Sequence, residues 1–265
     1  ISNISLKIDT LNLKRTLKIV VLTTFIFETI GAMFLFTRFN DIHPIPFAVF
    51  SSIFHAVSAF CNAGFSLYSD SLSRFSGSFF VPSVMIALIV LGGLGFMVIN
   101  ELLLWGESVK KHEKIRISLH TKIALTGTAA LLLIGTAIIW PLESQNLLAS
   151  YSPAHKFMNS LFLSVTARTA GFNTVNTALL SDATLFFLLF LMFVGGCPGS
   201  TAGGIKINTF MVLCALVAGK LKGTSSTSVY NRKIPSTVID KTLMIFAASL
   251  LLLFSFLFMM LIVEK

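Results

Sequence analysis

The sequence predicts an all-α integral membrane protein made of repeated units, each a helix, a short re-entrant helix, a turn and a second helix. Three observations support this fold class. Of the 265 residues, 55% are hydrophobic and 12% are charged, whereas a soluble domain carries about 25% charged residues. Apolar runs long enough to cross a bilayer alternate with shorter ones. The tripeptide Ala-Gly-Phe also occurs twice in matching surroundings, 107 residues apart, at 63–65 and 170–172.

Five apolar runs are predicted to span the membrane. They lie at residues 19–36, 79–104, 123–140, 183–221 and 243–263. Pro141 is expected to end the third. The second contains Gly92-Gly93-Leu94-Gly95, here called the glycine run, which close packing between helices explains. The fourth is too long for one crossing, and a glycine-rich stretch at 195–204, here called the glycine loop, is expected to break it.

Two shorter segments, 46–61 and 153–168, are predicted to be re-entrant helices because each is too short to span a bilayer. Each is followed by a turn, at 62–65 (the first turn) and at 169–172 (the second turn). Because irregular backbone survives at membrane depth only inside protein or beside a watery cavity, these turns are candidate functional sites. The predicted organisation is one unit at 1–120, a second at 121–235, and the first helix of a further unit at 236–265.

The formal net charge of +9 comes from basic blocks between the apolar runs. These blocks contain Lys7, Lys14, Arg15 and Lys18, then Lys110, Lys111, Lys114, Arg116 and Lys122, then Lys220, Lys222, Arg232, Lys233 and Lys241. The positive-inside rule predicts that the N-terminus and the loops 105–122 and 219–241 are cytoplasmic. Both short helices then enter from outside. Zinc-finger and aromatic-basic RNA motifs are missing from the sequence, so a nucleic-acid partner is not expected.

The duplicated turns suit a dehydrated alkali cation. Backbone carbonyls replace its water shell without a full negative charge, glycine allows the necessary dihedral angles, and each short helix directs the negative end of its dipole at the cavity. The candidate ion-binding residues are Asn62, Ala63, Gly64, Phe65, Thr169, Ala170, Gly171 and Phe172. Phe65 and Phe172 are expected to wedge the turns against neighbouring spans. An ordinary loop is the alternative for either copy alone.

The glycine loop is predicted to be a gate under the turns, with a simple packing kink as the alternative. A phosphate-binding loop is rejected because the stretch lacks the Gly-Lys-Ser/Thr ending that such loops need. The candidate gate residues are Gly195, Gly196, Cys197, Pro198, Gly199, Ser200, Thr201, Ala202, Gly203, Gly204 and Lys206. Lys206 either holds the loop closed, opposes cations electrostatically, or extends to the cytoplasm.

Four other ionisable residues have weaker expected roles. Arg168 is placed in the last turn of the second short helix, where a cation stabilises the helix end. His55 is expected to be a packing residue within the first short helix. Glu101 is expected near water at the end of its span. Glu28 lies inside the first span, where it pairs with a donor or forms a coupling-ion site.

Residues 55–66 resemble the second pore loop of the Trk/Ktr/HKT superfamily of potassium and sodium transporters, and residues 168–174 resemble the third. Residues 195–206 are similar to that superfamily's intramembrane gating loop. The similarity is closest to the membrane subunit of bacterial Ktr systems, the KtrB type.

The resemblance implies a potassium-channel-like, pseudo-fourfold arrangement of four units around one pore, of which this chain holds two and the start of another as a fragment. It implies transport of K+, with Na+ as an additional or alternative ion, in the plasma (inner) membrane, and no covalent cofactor. The implied partners are a second copy in a homodimer, a cytosolic ring of nucleotide-binding regulatory subunits, and membrane lipid. A secondary transporter with a midplane substrate site and a membrane-embedded enzyme are the alternatives, although no enzymatic activity is expected.

Overall fold

The computed structural model describes residues 10–111, 116–223, 227–230 and 232–263, with side chains from residue 17 onward. The described chain forms eight helices: α1 Thr10–Phe39, α2 Ile45–Phe60, α3 Phe80–Lys110, α4 Leu119–Glu143, α5 Pro153–Thr166, α6 Asp182–Phe193, α7 Ile207–Leu221 and α8 Ser236–Val263. An antiparallel hairpin pairs β1 Ser228–Val229 with β2 Arg232–Lys233. Part of the predicted cytoplasmic charge, including Lys7 and Lys114, lies outside the described residues.

Four helices are long and apolar enough to cross a membrane: Leu17–Phe39 within α1, and the whole of α3, α4 and α8. They correspond to four of the predicted spans. The remaining predicted span, 183–221, forms two helices, α6 and α7, which are separated by residues 194–206. The sequence therefore located this break correctly, to within a residue or two at each end.

Several helix boundaries differ from the sequence prediction: α1, α4 and α8 begin nine, four and seven residues earlier, and α3 ends six residues later. Helix α4 continues through Pro141 to Glu143. The proline removes only one backbone donor, and the helix ends within a turn of it, so the disruption is small. Helix α5 ends at Thr166 with Ala167 as its C-cap, two residues earlier than expected.

Local chemistry explains where several helices begin. Ser118, Ser152 and Ser181 are the N-caps of α4, α5 and α6, and each serine side chain accepts a hydrogen bond from the backbone N–H three residues later. Helices α2 and α5 both carry proline in their first two positions, where the missing N–H has no intrahelical partner. Both short helices therefore have well-defined starts.

The two short helices form the centre of the molecule. Helix α2 packs against α1 and α3, and α5 packs against α3 and α4. Phe162 of α5 and Phe172 after it are both fully buried in the same apolar cluster as Phe39 and Phe60 of the first unit. The two units thus share a core. Among the described residues of α8, only Thr242 is buried.

Candidate functional site

The two turns lie against each other at the centre of the fold. A Cβ atom on Gly64 would lie 2.6 Å from the carbonyl oxygen of Ala170 and 3.0 Å from the Cα of Gly171. A Cβ atom on Gly171 would in turn lie 3.3 Å from the Cα of Gly64. The contact is therefore between backbones, and any side chain at Gly64 would push the turns apart.

The turns share an unusual backbone conformation. Gly64 and Gly171 have φ angles of +72° and +81°. Asn62 and Thr169, two residues earlier, have φ angles of +51° and +71°. A positive φ is uncommon for any residue with a side chain, and for a β-branched threonine it is a genuine outlier. Strained backbone of this kind clusters at functional sites, and it occurs here at the same offset in both copies.

A hydroxyl group from each short helix fixes the last residue of its turn. The Ser58 Oγ donates to the carbonyl of Phe65 at 2.8 Å and accepts from the Phe65 N–H at 2.9 Å. The Thr166 Oγ1 donates to the carbonyl of Phe172 at 2.6 Å. These two carbonyls, which belong to the predicted ion-binding set, therefore each have one lone pair engaged.

The other predicted carbonyls differ from those two. The carbonyl oxygens of residues 62–64 and 169–171 accept no hydrogen bond from any residue that the structure describes. Of these six residues, Asn62 and Ala170 are buried and the other four are partly or fully exposed. The six oxygens lie on two turns in contact and accept from no protein donor, so they are available to coordinate a cation.

The glycine loop packs against the glycine run of α3. Gly95 interrupts the helix with a φ of +78°. The Cys197 N–H donates to the Gly93 carbonyl at 2.8 Å, and the Phe96 N–H donates to the Gly199 carbonyl at 3.3 Å. A Cβ atom on Gly95 would lie 2.7 Å from that same Gly199 oxygen. The close packing predicted for these glycines is present on two sides: Gly92 packs against Phe60 at the end of α2, and Gly95 packs against the glycine loop.

The glycine loop is also hydrogen-bonded to both turns. The Asn62 Nδ2 donates to the Thr201 Oγ1 at 2.8 Å, and that hydroxyl donates to the Phe60 carbonyl at 3.0 Å. On the other side, the Gly203 N–H donates to the Thr169 Oγ1 at 3.1 Å. The loop is therefore attached to the first turn through Asn62 and to the second turn through Thr169.

Arg168 contacts the loop as well. The residue lies beyond the end of α5, not in its last turn, and its side chain is buried. Its Nη2 donates to the Gly195 carbonyl at 3.3 Å and to the Thr128 Oγ1 at 3.4 Å. Stabilising the helix end is therefore only part of the role of Arg168, because its guanidinium group also donates to the first residue of the glycine loop.

Hydrogen bonds between the two ends of the glycine loop hold them together. The Gly195 N–H donates to the Ile205 carbonyl at 3.0 Å. The Lys206 Nζ donates to the Ala202 carbonyl at 2.7 Å, and the side chain is only partly exposed. Of the roles considered for Lys206, this contact favours holding the loop.

The other predicted residues have structural partners. His55 is fully buried, with Nδ1 2.7 Å from the Ser51 carbonyl and Nε2 3.1 Å from the Ser66 Oγ, consistent with a packing role. The Cys61 Sγ lies 3.9 Å from the Glu28 Oε1. In the described part of the chain, no three His, Cys, Asp or Glu side chains are grouped as metal ligands.

Two carboxylates have a role that the sequence analysis missed. Glu101 accepts hydrogen bonds from the backbone N–H and Oγ of Ser118 and from the Thr121 Oγ1. Glu143 accepts from the same three groups of Ser181 and Thr184. Each carboxylate thus caps the start of a later helix, which favours a negative charge. The only sequence signal for these two caps is the Ser-x-x-Thr pattern at both helix starts. This pattern does not show which glutamate accepts the hydrogen bonds.

Comparison with known proteins identifies the class of this protein. A family model described as "TrkH: Cation transport protein" matches residues 4–265, and the chain belongs to this family. It is 36% identical over 251 residues to the Ktr system potassium uptake protein B of Bacillus subtilis (strain 168), covering 94% of this chain and 55% of that protein. It is 37% identical over 227 residues to the potassium/sodium uptake protein NtpJ of Enterococcus hirae, covering 85% and 49%.

A solved structure has the same fold. The crystal structure of the potassium transporter TrkH from Vibrio parahaemolyticus matches with a TM-score of 0.64 at 24% identity, covering 76% of this chain and 42% of that chain. The chain spans about half the length of the curated relatives it matches.

These comparisons confirm the resemblance to the Trk/Ktr group and the predicted helical membrane fold. The chain is a multi-pass membrane protein whose relatives are cation transporters and not enzymes. The alternative of a membrane-embedded enzyme is therefore set aside.

Proposed function

We propose that this chain is part of the ion-translocating membrane subunit of a potassium uptake system, and that K+ passes along an axis lined by its two turns, with Na+ as an additional or alternative ion. The observation that carries the proposal is the contact between Gly64 and Gly171. It brings the two matched turns together at the C-terminal ends of two short helices, where the helix dipole favours a cation.

Six backbone oxygens are the proposed ligands, namely the carbonyls of residues 62–64 and 169–171. They are favoured over the carbonyls of Phe65 and Phe172 because Ser58 and Thr166 already donate to those. Carbonyl oxygens of this kind replace the hydration shell of an alkali cation. The remaining ligands would come from two further turns of the same type, contributed by parts of the full-length protein beyond this chain.

The glycine loop, together with Lys206, is the proposed gate. Its hydrogen bonds to Asn62, Thr169 and Arg168 keep it directly against both turns. Movement of the loop would break these bonds, and each is a single hydrogen bond worth about 1 kcal/mol. A loop held by several weak bonds can open without unfolding the helices around it.

The proposed organisation is that of the predicted units, 1–120, 121–235 and 236–265, and the proposed partners are a second copy, a cytosolic nucleotide-binding ring and membrane lipid. The charges that support a cytoplasmic docking face are the basic loops at 105–122 and 219–241. Co-purification of the full-length subunit with a cytosolic protein, and loss of that protein when Arg232 and Lys233 are changed to glutamate, would test this face.

The decisive test uses the full-length protein in cells that lack potassium uptake. Gly64→Ser and Gly171→Ser should each reduce K+ uptake at least tenfold or change the K+/Na+ preference, because a side chain at either position strains a left-handed backbone and, at Gly64, meets Ala170. Gly77→Ser is the matched control, since a Cβ atom there meets nothing within 4 Å. Normal uptake kinetics in both turn variants would contradict the proposal.

The gate has a separate test. Deleting residues 199–203 should raise K+ flux, because the segment that blocks the path under the turns is removed. Lys206→Met should have a smaller effect in the same direction, because it removes only the bond to Ala202. The measurement is the initial rate of 86Rb+ uptake at equal protein levels. A deletion that leaves flux unchanged or abolishes it would favour the packing kink.

A further inference from the structure

A small enclosed space lies where the first turn, Arg168 and the glycine loop meet. Its polar walls are Asn62 and Arg168, and the other walls are backbone or small side chains of Gly93, Gly196 and Ala202 and the apolar side chains of Ile89, Val90, Leu132 and Val165. The volume of this cavity is about 10 Å³. One ordered water needs about this much room, and it also needs polar partners.

Two polar atoms on the walls are available as those partners. The Oδ1 of Asn62 and the Nε of Arg168 are buried, and neither has a hydrogen-bond partner among the described residues. The two side chains are 8% and 7% exposed. Leaving such atoms unpaired away from water is costly, so a native structure normally supplies a partner.

The hydrogen-bond network fixes which end of the Asn62 amide faces this space. The Thr201 hydroxyl has a single proton, and the Phe60 carbonyl accepts it at 3.0 Å. The group 2.8 Å away on Asn62 must therefore be the donating Nδ2, which leaves the accepting Oδ1 unpaired. The Nε–H of Arg168 can only donate.

We infer that a single water molecule occupies this space, accepting a hydrogen bond from the Arg168 Nε–H and donating one to the Asn62 Oδ1. The space is too small for anything larger than one water molecule, and a cation would be repelled by the guanidinium group. Only a small neutral molecule that both donates and accepts satisfies the two walls. The water links the first turn to Arg168, which also binds the glycine loop through Gly195. This inference concerns packing and holds whatever ion is transported.

The direct test is a density map of the full-length protein at a resolution that shows ordered water elsewhere in its core. The expected result is one peak within hydrogen-bonding distance of both the Asn62 Oδ1 and the Arg168 Nε. A map with other buried waters but no such peak, or one in which the two side chains bond directly to each other, would overturn the inference.

A double-mutant cycle gives a second test that does not depend on transport. Arg168→Lys keeps the charge but removes Nε, and Asn62→Leu removes Oδ1. With a bridging water, Arg168→Lys should lower the Tm by about 2 °C more in the wild-type background than in the Asn62→Leu background. The backbone strain that leucine introduces at position 62 cancels in that comparison. Asn62→Leu also removes the bond to Thr201, so Arg168→Lys is measured in a Thr201→Val background as well, which removes that bond but keeps Oδ1; the full difference of about 2 °C should remain there.

The matched control combines Arg168→Lys with Asp70→Asn, because Asp70 shares no hydrogen-bond partner with Arg168. That pair should be additive. Equal Tm shifts from Arg168→Lys in the wild-type and Asn62→Leu backgrounds would contradict a bridging water.

Discussion

The first and second turns have the same backbone conformation but very different surroundings. Both carry positive φ at the polar residue and at the glycine. Phe172, which ends the second turn, is fully buried, whereas Phe65 is 68% exposed. The predicted wedge is therefore present at Phe172 but missing at Phe65 within the described chain. Conformation is thus set by the local sequence, while burial depends on which elements pack around each turn.

The residues just before the two turns differ as well. Cys61 precedes the first and lies near Glu28, while Arg168 occupies the matching position before the second and binds the glycine loop. The first turn reaches the loop through a side-chain amide, and the second through a threonine hydroxyl. A repeated scaffold therefore supports two different attachments to one loop.

The largest expected difference between the turns is in stability. Phe172→Ala should lower the free energy of unfolding by about 3–5 kcal/mol, because it removes a buried aromatic side chain and leaves a cavity. Phe65→Ala is the matched variant at the exposed position and should change it by about 0.5 kcal/mol or less. Thermal unfolding of the purified full-length protein measures both. Equal losses would mean that other parts of the full-length protein bury Phe65.

An exchange of the polar residues should have an intermediate effect. Asn62→Thr places a β-branched residue at positive φ and removes the bond to Thr201, so it should destabilise by about 2 kcal/mol. Thr169→Asn relieves the β-branched strain but loses the hydroxyl that accepts from Gly203, so its net effect should be about 1 kcal/mol or less. Chemical unfolding of the two variants in parallel tests this asymmetry. The reverse order would show that side-chain attachment, and not φ, dominates at position 169.

The smallest expected effect is in the loop that follows the first turn. Hydrogen bonds from Arg74 lower the pKa of Asp70, which is largely exposed. A depressed pKa means that this pair stabilises the fold above the unfolded pKa of about 4 and loses that contribution as pH falls through the folded value. Screening limits the contribution to about 0.2–1 kcal/mol.

Asp70→Asn should therefore lower the Tm slightly at pH 7 and by less at pH 3. Tm measured at the two pH values, with Asp41→Asn as the control for an exposed Asp–Arg pair, checks this. An equal Tm loss at both pH values would show that charge is not the cause.

Most of the helices could be predicted from the sequence because hydrophobic run length is a local property. The short helices are located within two residues, and each span is found, although α1, α3 and α8 extend six to nine residues beyond the apolar runs. Pro141 does not end α4, which tolerates it because the helix ends soon afterwards. The duplicated turns were found for the same reason. Tripeptide identity and flanking length are visible in the chain without knowledge of contacts.

The contacts of the site could not be predicted in this way. The glycine run is explained by helix packing in the sequence, but the carbonyls of Gly92 and Gly93 also accept hydrogen bonds from the glycine loop about a hundred residues later in the chain. The sequence places Glu101 near water at the end of its span and gives no sign that it caps the next helix, as Glu143 also does. A hydrogen bond between distant residues has no periodic signature, so sequence patterns do not reveal it.

By itself, the sequence determined that this chain enters a membrane, where its helices lie, and which two turns have a backbone that glycine must permit. Those properties follow from side-chain hydrophobicity and allowed dihedral angles, which act over a few residues. Only the tertiary structure decided that Gly64 meets Gly171, that Arg168 reaches Gly195, and that one phenylalanine is buried while its counterpart is exposed. These depend on the close approach of segments far apart in the chain, which packing alone sets.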